Sequence, residues 1–268
     1  MASLVTDQGI IHYETHGRGR PVLLLHGWLG SWQLYRRTIE NLGKDFRTYA
    51  LDFWGFGESD TIKETQLFAV DNFVEMVAQF MDNMGIAKAP LIGHSMGGTV
   101  SLSTAIRYPE KVVKVVVIGS PIVGSSLNFF LKLAGIPFIA ALLFKFPPLL
   151  KLVIGMIAYF LSTPKDRSAL TRMIMQDLSQ MTMNSFFQSI GTLRRTDLRP
   201  MLNKVTVPTL GMYGRWDMIV HPNQSKALKA GVSQAQISWY KDAGHFIMMD
   251  SPDRFNGELR DFLSMKHT

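Results

Sequence analysis

Residues 91–100, LIGHSMGGTV, place a serine between two glycines in the pattern Gly-x-Ser-x-Gly. The apolar residues 89–92 predict a short buried strand before Ser95, and residues 96–107 predict a helix with small residues toward the sheet. A chain that passes directly from strand to helix is strained at the turn, where side chains at positions 93 and 97 would collide. The turn therefore presents Ser95 at the edge of a sheet with a helix N-terminus behind it, as a nucleophile requires.

Apolar strands and helical patterns alternate along most of the chain. Strands are predicted at residues 10–17, 21–27, 46–55, 89–95, 111–120, 207–214 and 235–244, and helices at 31–43, 69–84, 96–107, 222–231 and 252–265. This alternation predicts an α/β fold with a mostly parallel sheet covered by helices on both faces. It fails between about residues 121 and 204, where the chain looks helical throughout. We interpret residues 121–204 as a helical cap inserted into a core formed by residues 1–120 and 205–268.

The composition of the chain excludes several kinds of binding site and partner. With 268 residues and 47% hydrophobic content, the chain can bury one large core. Cysteine is absent, which excludes disulfides and thiolate metal sites. Because the sequence contains neither a metal-ligand cluster nor a dinucleotide fingerprint, we expect no metal and no cofactor. The formal net charge of +7 comes without a basic helix, so we interpret it as a solvated surface and expect no nucleic-acid partner.

Candidate partners for Ser95 follow the later strands, because the carboxyl ends of parallel strands collect the working groups of such sheets. Asp217 comes directly after the strand at 207–214, and His245 lies in the turn before the last helix. Asp242 and Asp250 are rivals to Asp217, but they fall where the last strand and the cap of the last helix are predicted. The sequence therefore favours Ser95, Asp217 and His245 as a nucleophile, an acid and a base.

The order Ser95, Asp217, His245 resembles that of the α/β-hydrolase family. The segments HGW (26–28), DFWGFGESD (52–60), GHSMGG (93–98), GRWD (214–217) and GHF (244–246) match positions of that family in order. The resemblance covers nearly the whole chain and is weakest in the cap. It implies the α/β-hydrolase fold, with a mostly parallel eight-stranded sheet flanked by helices and a helical cap above it. By the same resemblance, Ser95 excludes the haloalkane dehalogenase and epoxide hydrolase branches, which use an aspartate at this position.

The chemistry explains each residue type of the triad. A neutral His245 takes the proton of the Ser95 hydroxyl and later returns it to the leaving group, while Asp217 holds the imidazole tautomer. The backbone N–H of Met96, at the helix start, would stabilise the oxyanion, and the resemblance implies the N–H of Trp28 as the second donor. His26 is interpreted as a structural residue that holds the loop of Trp28 by hydrogen bonds, and His94 as packing beside the serine turn. Asp52 and Ser59 are interpreted as bracing a turn.

The cap suggests a hydrophobic substrate, because it is rich in phenylalanine and methionine. We expect hydrolysis of esters with medium or long acyl groups or bulky apolar alcohols, through an acyl-enzyme intermediate. The candidate pocket residues are Trp28, Phe129, Phe130, Phe138, Met181 and Phe246. Two alternatives remain open. One is a hydrolase that cleaves a carbon–carbon bond in diketone-type substrates, and the other is a receptor for a hydrophobic ligand with little turnover.

The charge of the cap is uneven. From Lys111 to Lys165 there are six lysines and no Asp, Glu or Arg. Lysines and prolines interrupt the apolar residues 127–161, which disfavours a transmembrane span and favours two or three short helices that pack over the core or lie at an interface. No secretory signal is recognised at the N-terminus. We therefore expect a cytoplasmic location, with peripheral contact of the cap with an anionic membrane as a hypothesis, and either a monomer or a homodimer.

Overall fold

The computed structural model describes residues 2–61, 68–129, 131, 138, 145–161 and 167–265. Its strands are β1 (Ala2–Val5), β2 (Gly9–His16), β3 (Pro21–Leu25), β4 (Arg47–Leu51), β5 (Asp60–Thr61), β6 (Ala89–His94), β7 (Val112–Ile118), β8 (Thr209–Gly214) and β9 (Ala235–Tyr240). Eight of them form one sheet in the order β1-β2-β4-β3-β6-β7-β8-β9, and the two-residue β5 pairs with β2. The pairs β1/β2 and β2/β4 are antiparallel, and the remaining pairs along this order are parallel. The prediction of a mostly parallel eight-stranded sheet is thus confirmed.

Helices cover both faces of this sheet. They are α1 (Arg36–Leu42), α2 (Val70–Asn83), α3 (Met96–Arg107), α4 (Pro147–Leu161), α5 (Arg167–Gln180), α6 (Met183–Arg195), α7 (Gln224–Gly231), α8 (Ile247–Asp250) and α9 (Pro252–Ser264). Single 3-10 turns lie at Trp32–Tyr35, Pro109–Lys111 and Gly124–Ser126, and a longer one at Arg199–Lys204. The helix predicted at 31–43 is therefore divided into a 3-10 turn and α1.

The strands bury side chains on both sides, as parallel strands between helices must. In β3, Leu23 and Leu25 join the core on one face, whereas Val22 and Leu24 join the core on the other. The first core includes α2, α3 and the described part of the cap, and the second includes α1 and α9. Because both faces are closed, the loops at the carboxyl ends of the strands are the part of the sheet left for a site.

The start of the cap is tied to its end and to the loop after β8. Val123 forms an antiparallel bridge with Asp197, and Leu127 forms another with Val220. These pairings fix the base of the cap beside the residues that follow β8. Among the helices in the described ranges, none has both the length and the apolar character needed to cross a membrane.

Candidate active site

Ser95 is the single residue between the end of β6 and the start of α3. Its backbone has φ 51° and ψ −118°, a conformation that L-amino acids rarely adopt, and its N–H donates to the carbonyl of Ile118 at 2.8 Å. Such strain persists only when the surrounding structure holds it in place. In the first turn of α3 the N–H of Gly98 donates to the carbonyl of Ser95 at 3.0 Å, and the N-terminus of the helix places positive potential behind Ser95.

Two glycines make this turn sterically feasible. A Cβ at Gly93 would overlap the backbone of Gly97, and a Cβ at Gly97 would overlap the carbonyl of Leu25. The collision expected from the sequence is therefore present at both positions. Only glycine lets α3 approach the ends of β6 and β3 this closely.

His245 and Asp217 form a buried pair. The Nδ1 of His245 lies 2.8 Å from Oδ2 of Asp217, and both side chains are almost fully buried. The other carboxylate oxygen of Asp217 accepts the N–H groups of Ile219 and Val220, each at 2.9 Å. Because Asp217 holds the Nδ1–H, the lone pair of His245 lies on Nε2, which is the atom that a base needs.

Ser95 and this pair converge on the corner at Ile118 and Gly119, directly after β7. The carbonyl of Ile118 accepts from Ser95, while the position of a Cβ at Gly119 lies 3.1 Å from both Asp217 Oδ2 and His245 Nδ1. A side chain at residue 119 would therefore press on the acid–base pair. The contacts at this corner place the serine turn next to the acid–base pair.

The rival carboxylates have other positions. Asp250 is buried and accepts the N–H of Gly244 at 2.8 Å, which fixes the turn just before His245. Asp242 is exposed. Neither is hydrogen-bonded to the imidazole of His245, whose carboxylate partner is Asp217.

His94 has a more specific position than the packing role expected from the sequence. Its Nε2 lies 3.0 Å from the carbonyl of His245, and the two rings are 4.5 Å apart. A carbonyl only accepts, so Nε2 of His94 carries a proton in this contact. Burial first, and the neighbouring charge of His245 second, lower the pKa of His94 well below its usual value. His94 therefore couples the serine turn to the backbone of the base without adding a charge.

The loop after β3 carries Trp28, the second of the two predicted oxyanion donors. Trp28 is half-buried, and its indole N–H donates to the carbonyl of Phe186 in α6 at 3.0 Å. Below it, His26 accepts the N–H of Phe53 on Nε2 at 3.0 Å and so donates from Nδ1 to the carbonyl of Gly27 at 2.7 Å. Burial lowers the pKa of His26, which keeps this imidazole neutral. The expected structural role of His26 in holding the loop matches these contacts.

Asp52 braces the same loop from the end of β4. Its carboxylate accepts the N–H groups of Trp32 at 2.6 Å and Glu58 at 3.0 Å, and its carbonyl accepts the Ser59 hydroxyl at 2.6 Å. The bracing role expected of Asp52 and Ser59 agrees with this geometry. The carboxylate also lies 2.8 Å from Nδ1 of His12, a histidine to which the sequence analysis assigns no site.

The predicted pocket residues are only partly near the triad. Phe246 is half-buried with its ring 5.2 Å from that of His245, and Met181 is buried in the core beneath the cap. Phe129 and Phe138 are 67% and 77% exposed, and their place in the pocket stays a prediction. Phe130 lies outside the described residues.

Phe186 contacts Trp28 in the loop after β3, and this contact is not predicted from the sequence. It is fully buried, and its ring centroid lies 4.8 Å from that of Trp28. Since 158 residues separate the two, no local pattern identifies this contact. The nearest signal is the capping box at Thr182 and Ser185, which fixes where α6 begins and hence which side chains face Trp28.

Comparison with known proteins places this geometry in context. The family model of the alpha/beta hydrolase fold matches residues 20–252. A 2-hydroxy-6-oxo-6-phenylhexa-2,4-dienoate hydrolase of Comamonas testosteroni is 30% identical, over 96% of this chain and 92% of that protein. A meta-cleavage product hydrolase from Pseudomonas fluorescens IP01 has a TM-score of 0.76 at 25% identity, over 95% of this chain and 94% of that one. An esterase from Exiguobacterium antarcticum has a TM-score of 0.84 at 20% identity, over 96% of both chains.

Proposed function

The chain belongs to the alpha/beta hydrolase fold family, and from that premise we propose that it hydrolyses a carbon–carbon bond next to a ketone in a diketone-type substrate. The observation that carries this proposal is the 30% identity, over nearly the full length of both chains, to a hydrolase of a 2-hydroxy-6-oxo-dienoate. Ester hydrolysis, the reaction expected from the sequence alone, becomes the second candidate.

In the proposed reaction, Ser95 attacks the ketone carbon. His245 takes the hydroxyl proton on Nε2, and Asp217 stabilises the resulting imidazolium through the 2.8 Å contact at Nδ1. The developing oxyanion is stabilised by the backbone N–H groups of Met96 and Trp28, each contributing on the order of 3 kcal/mol to lowering the barrier. These steps are common to both candidate reactions.

The two candidates differ in the leaving group. Carbon departs when its electron pair is delocalised into a second carbonyl, as in the diketone tautomer of a hydroxy-oxo-dienoate, and the His245 imidazolium then protonates that carbon. Water, deprotonated by His245, next attacks the Ser95 acyl group and releases a carboxylic acid. One water is consumed, so that its hydroxyl joins the acyl carbon and the departing carbon gains a hydrogen. In an ester, an alkoxide departs and takes the same proton.

The apolar surroundings of the site are compatible with both candidates. Trp28, Phe186 and Phe246 are the aromatic side chains described beside the loop and the base. Such a wall suits the acyl chain or apolar alcohol of a neutral ester, and equally the phenyl end of a dienoate. The distinction therefore requires a kinetic comparison.

The test is the ratio of kcat/KM for 2-hydroxy-6-oxo-6-phenylhexa-2,4-dienoate to that for p-nitrophenyl esters from acetate to palmitate. The proposal predicts a dienoate value at least about tenfold above the best ester, with both activities reduced about 10³-fold or more in Ser95→Ala. Higher values for esters would replace the proposal by ester hydrolysis. Tight binding of either compound without turnover would favour a receptor on this fold.

A further inference from the structure

Helix α4 exposes a stripe of large apolar side chains, which we call the α4 stripe. Leu149, Leu152, Met156 and Tyr159 follow the spacing i, i+3, i+7 and i+10, and each is 44% to 58% exposed. On a helix this spacing puts the four side chains in one row. Phe146, just before the helix, is 51% exposed as well.

The stripe is not the face by which α4 packs on the protein. Leu150 and Ile154, on the other side of the helix, are buried and belong to the main core. Gly155 faces α5, since a Cβ there would lie 3.9 Å from Sδ of Met175. The helix is thus anchored through one apolar face while a second apolar face points outward. A helix that is apolar on both faces indicates a second apolar neighbour.

Cations border the stripe, whereas exposed acids are absent from the described parts of α4 and α5. Lys145 and Lys151 are exposed, and the guanidinium of Arg167 lies 5.6 Å from the centre of the Tyr159 ring. The acid of α5, Asp177, is buried. The acid-free interval of the sequence, from Lys111 to Lys165, spans the whole of α4.

We propose that the α4 stripe docks on the surface of an anionic lipid bilayer. Apolar side chains in one row enter the boundary between head groups and acyl chains, while lysines beside them contact the anionic head groups. With 15 residues, α4 is about 22 Å long and lies in the plane of the interface rather than across it. The occupant is identified by this pairing of apolar and cationic groups, independently of the reaction at Ser95.

The same charges disfavour a second copy of the chain as the occupant. In a two-fold symmetric dimer each patch faces its own copy, so Lys145 and Lys151 would oppose the same lysines across the interface. No exposed acid from the described parts of α4 or α5 is available to compensate them. On an anionic lipid surface, the two lysines are instead attracted to the head groups.

The experiment is flotation of the full-length protein with vesicles of phosphatidylcholine alone and of phosphatidylcholine mixed with phosphatidylserine. We expect partitioning into the mixed vesicles, weakening with added salt, and little into the neutral ones. Lys145→Gln combined with Lys151→Gln should lower the partition coefficient by roughly an order of magnitude. Met156→Gln should lower it about fivefold, because the exchange removes an apolar side chain from the interface.

Matched control residues lie away from the cap, before the first residues of β4 and β6 and after the end of α9. Met265, 48% exposed after α9, is the counterpart of Met156, and the exposed Lys44 and Lys88 are the counterparts of the two cap lysines. Met265→Gln, and Lys44→Gln combined with Lys88→Gln, should partition as the wild type does.

Three results would overturn the inference. The first is that the wild type fails to partition into the mixed vesicles at low salt. The second is that the cap variants and their controls partition alike. The third is a dimer in size-exclusion chromatography that Met156→Gln dissociates, without vesicle binding, which would assign the stripe to a second copy.

Discussion

Asp217, the proposed acid of the triad, makes two sets of contacts through one carboxylate. Oδ2 of Asp217 holds Nδ1 of His245, and Oδ1 accepts two backbone N–H groups. The second set keeps the loop in place even when the side chain is changed to an amide, because an amide oxygen still accepts. Changing Asp217 to an asparagine can therefore remove the control over the His245 tautomer while the loop keeps its conformation.

We predict that Asp217→Asn lowers kcat by about 10⁴-fold, because the amide no longer selects the imidazole tautomer with a free Nε2. KM should change by no more than a few fold, which steady-state kinetics on the better substrate will measure. The control is Asp242→Asn, an exposed carboxylate two residues after β9. Equal losses in the two variants would show that Asp217 is not the acid of the triad.

The glycines of the serine turn act through sterics rather than chemistry. A methyl group at residue 97 would overlap the backbone carbonyl of Leu25 at the end of β3. Gly257, within α9, has open space around the position of its Cβ. Comparing alanine at Gly97 with alanine at Gly257 therefore separates two effects on stability. One is the destabilisation caused by steric overlap, and the other is the stabilisation that alanine gives within a helix.

We predict that Gly97→Ala lowers the free energy of unfolding by about 3 kcal/mol or more, because the turn must distort to accept the methyl group. Gly257→Ala should raise the free energy of unfolding by up to about 1 kcal/mol, since alanine is the better helix former. Urea unfolding followed by circular dichroism measures both. A Gly97→Ala protein as stable as the wild type would contradict the close approach of α3 to β3.

At the scale of elements, the cap is joined to the core by a buried carboxyl group. Asp177 of α5 lies near Ser31, in the loop that Asp52 braces, and is 2% exposed. Burial raises the pKa of Asp177 to about 7, the charge of Asp52 adds to the rise, and the Ser31 hydroxyl opposes it. The folded protein therefore holds a proton that the unfolded chain releases near pH 4.

We predict a pH-dependent gain of stability in Asp177→Asn. Because the native carboxyl keeps its proton up to about pH 7, its contribution to the free energy of unfolding is fully present below about pH 4 and is lost as the pH rises through about 7. The variant should match the wild type near pH 4 and exceed it by about 4 kcal/mol at pH 8. Chemical denaturation across this range measures the difference.

Asp197→Asn is the control for this measurement, since its expected trend has the opposite sign. A hydrogen bond from Arg199 lowers the pKa of Asp197, so its carboxylate is favoured in the folded state. Replacing Asp197 should lower the free energy of unfolding above about pH 4, and this loss should disappear as the pH falls through the lowered pKa of the folded state. A parallel pH profile for the two variants would contradict the assignment of the raised pKa to Asp177.

Elements with local signatures were predictable from the sequence, and elements held by distant contacts were not. The central strands and α3 follow from apolar runs and from the glycines around Ser95. Strand β4 ends at Leu51, four residues before the predicted end of 55, because the Asp52 carboxylate organises the turn that follows. The edge strands β1 and β5 are too short to have a pattern of their own.

At the scale of the whole molecule, the order of the motifs in the sequence predicts the residues of the candidate site. It does not predict the side chains that line the pocket. Ser95, Asp217 and His245 are recognisable because each follows a strand whose end lies at the same edge of the sheet. The walls come from the cap, where a phenylalanine can face Trp28, as Phe186 does, or solvent, as Phe129 does. Composition does not distinguish these orientations, since both depend on how helices without a regular polar face pack.

The most direct test of the central claim is covalent labelling with an alkyl fluorophosphonate, followed by intact-protein and peptide mass spectrometry. The account predicts one adduct per chain on the peptide that contains Ser95, formed far more slowly in Asp217→Asn and absent in a folded Ser95→Ala protein. An adduct on another residue, or undiminished labelling of Ser95→Ala, would contradict the assignment of Ser95 as the activated nucleophile.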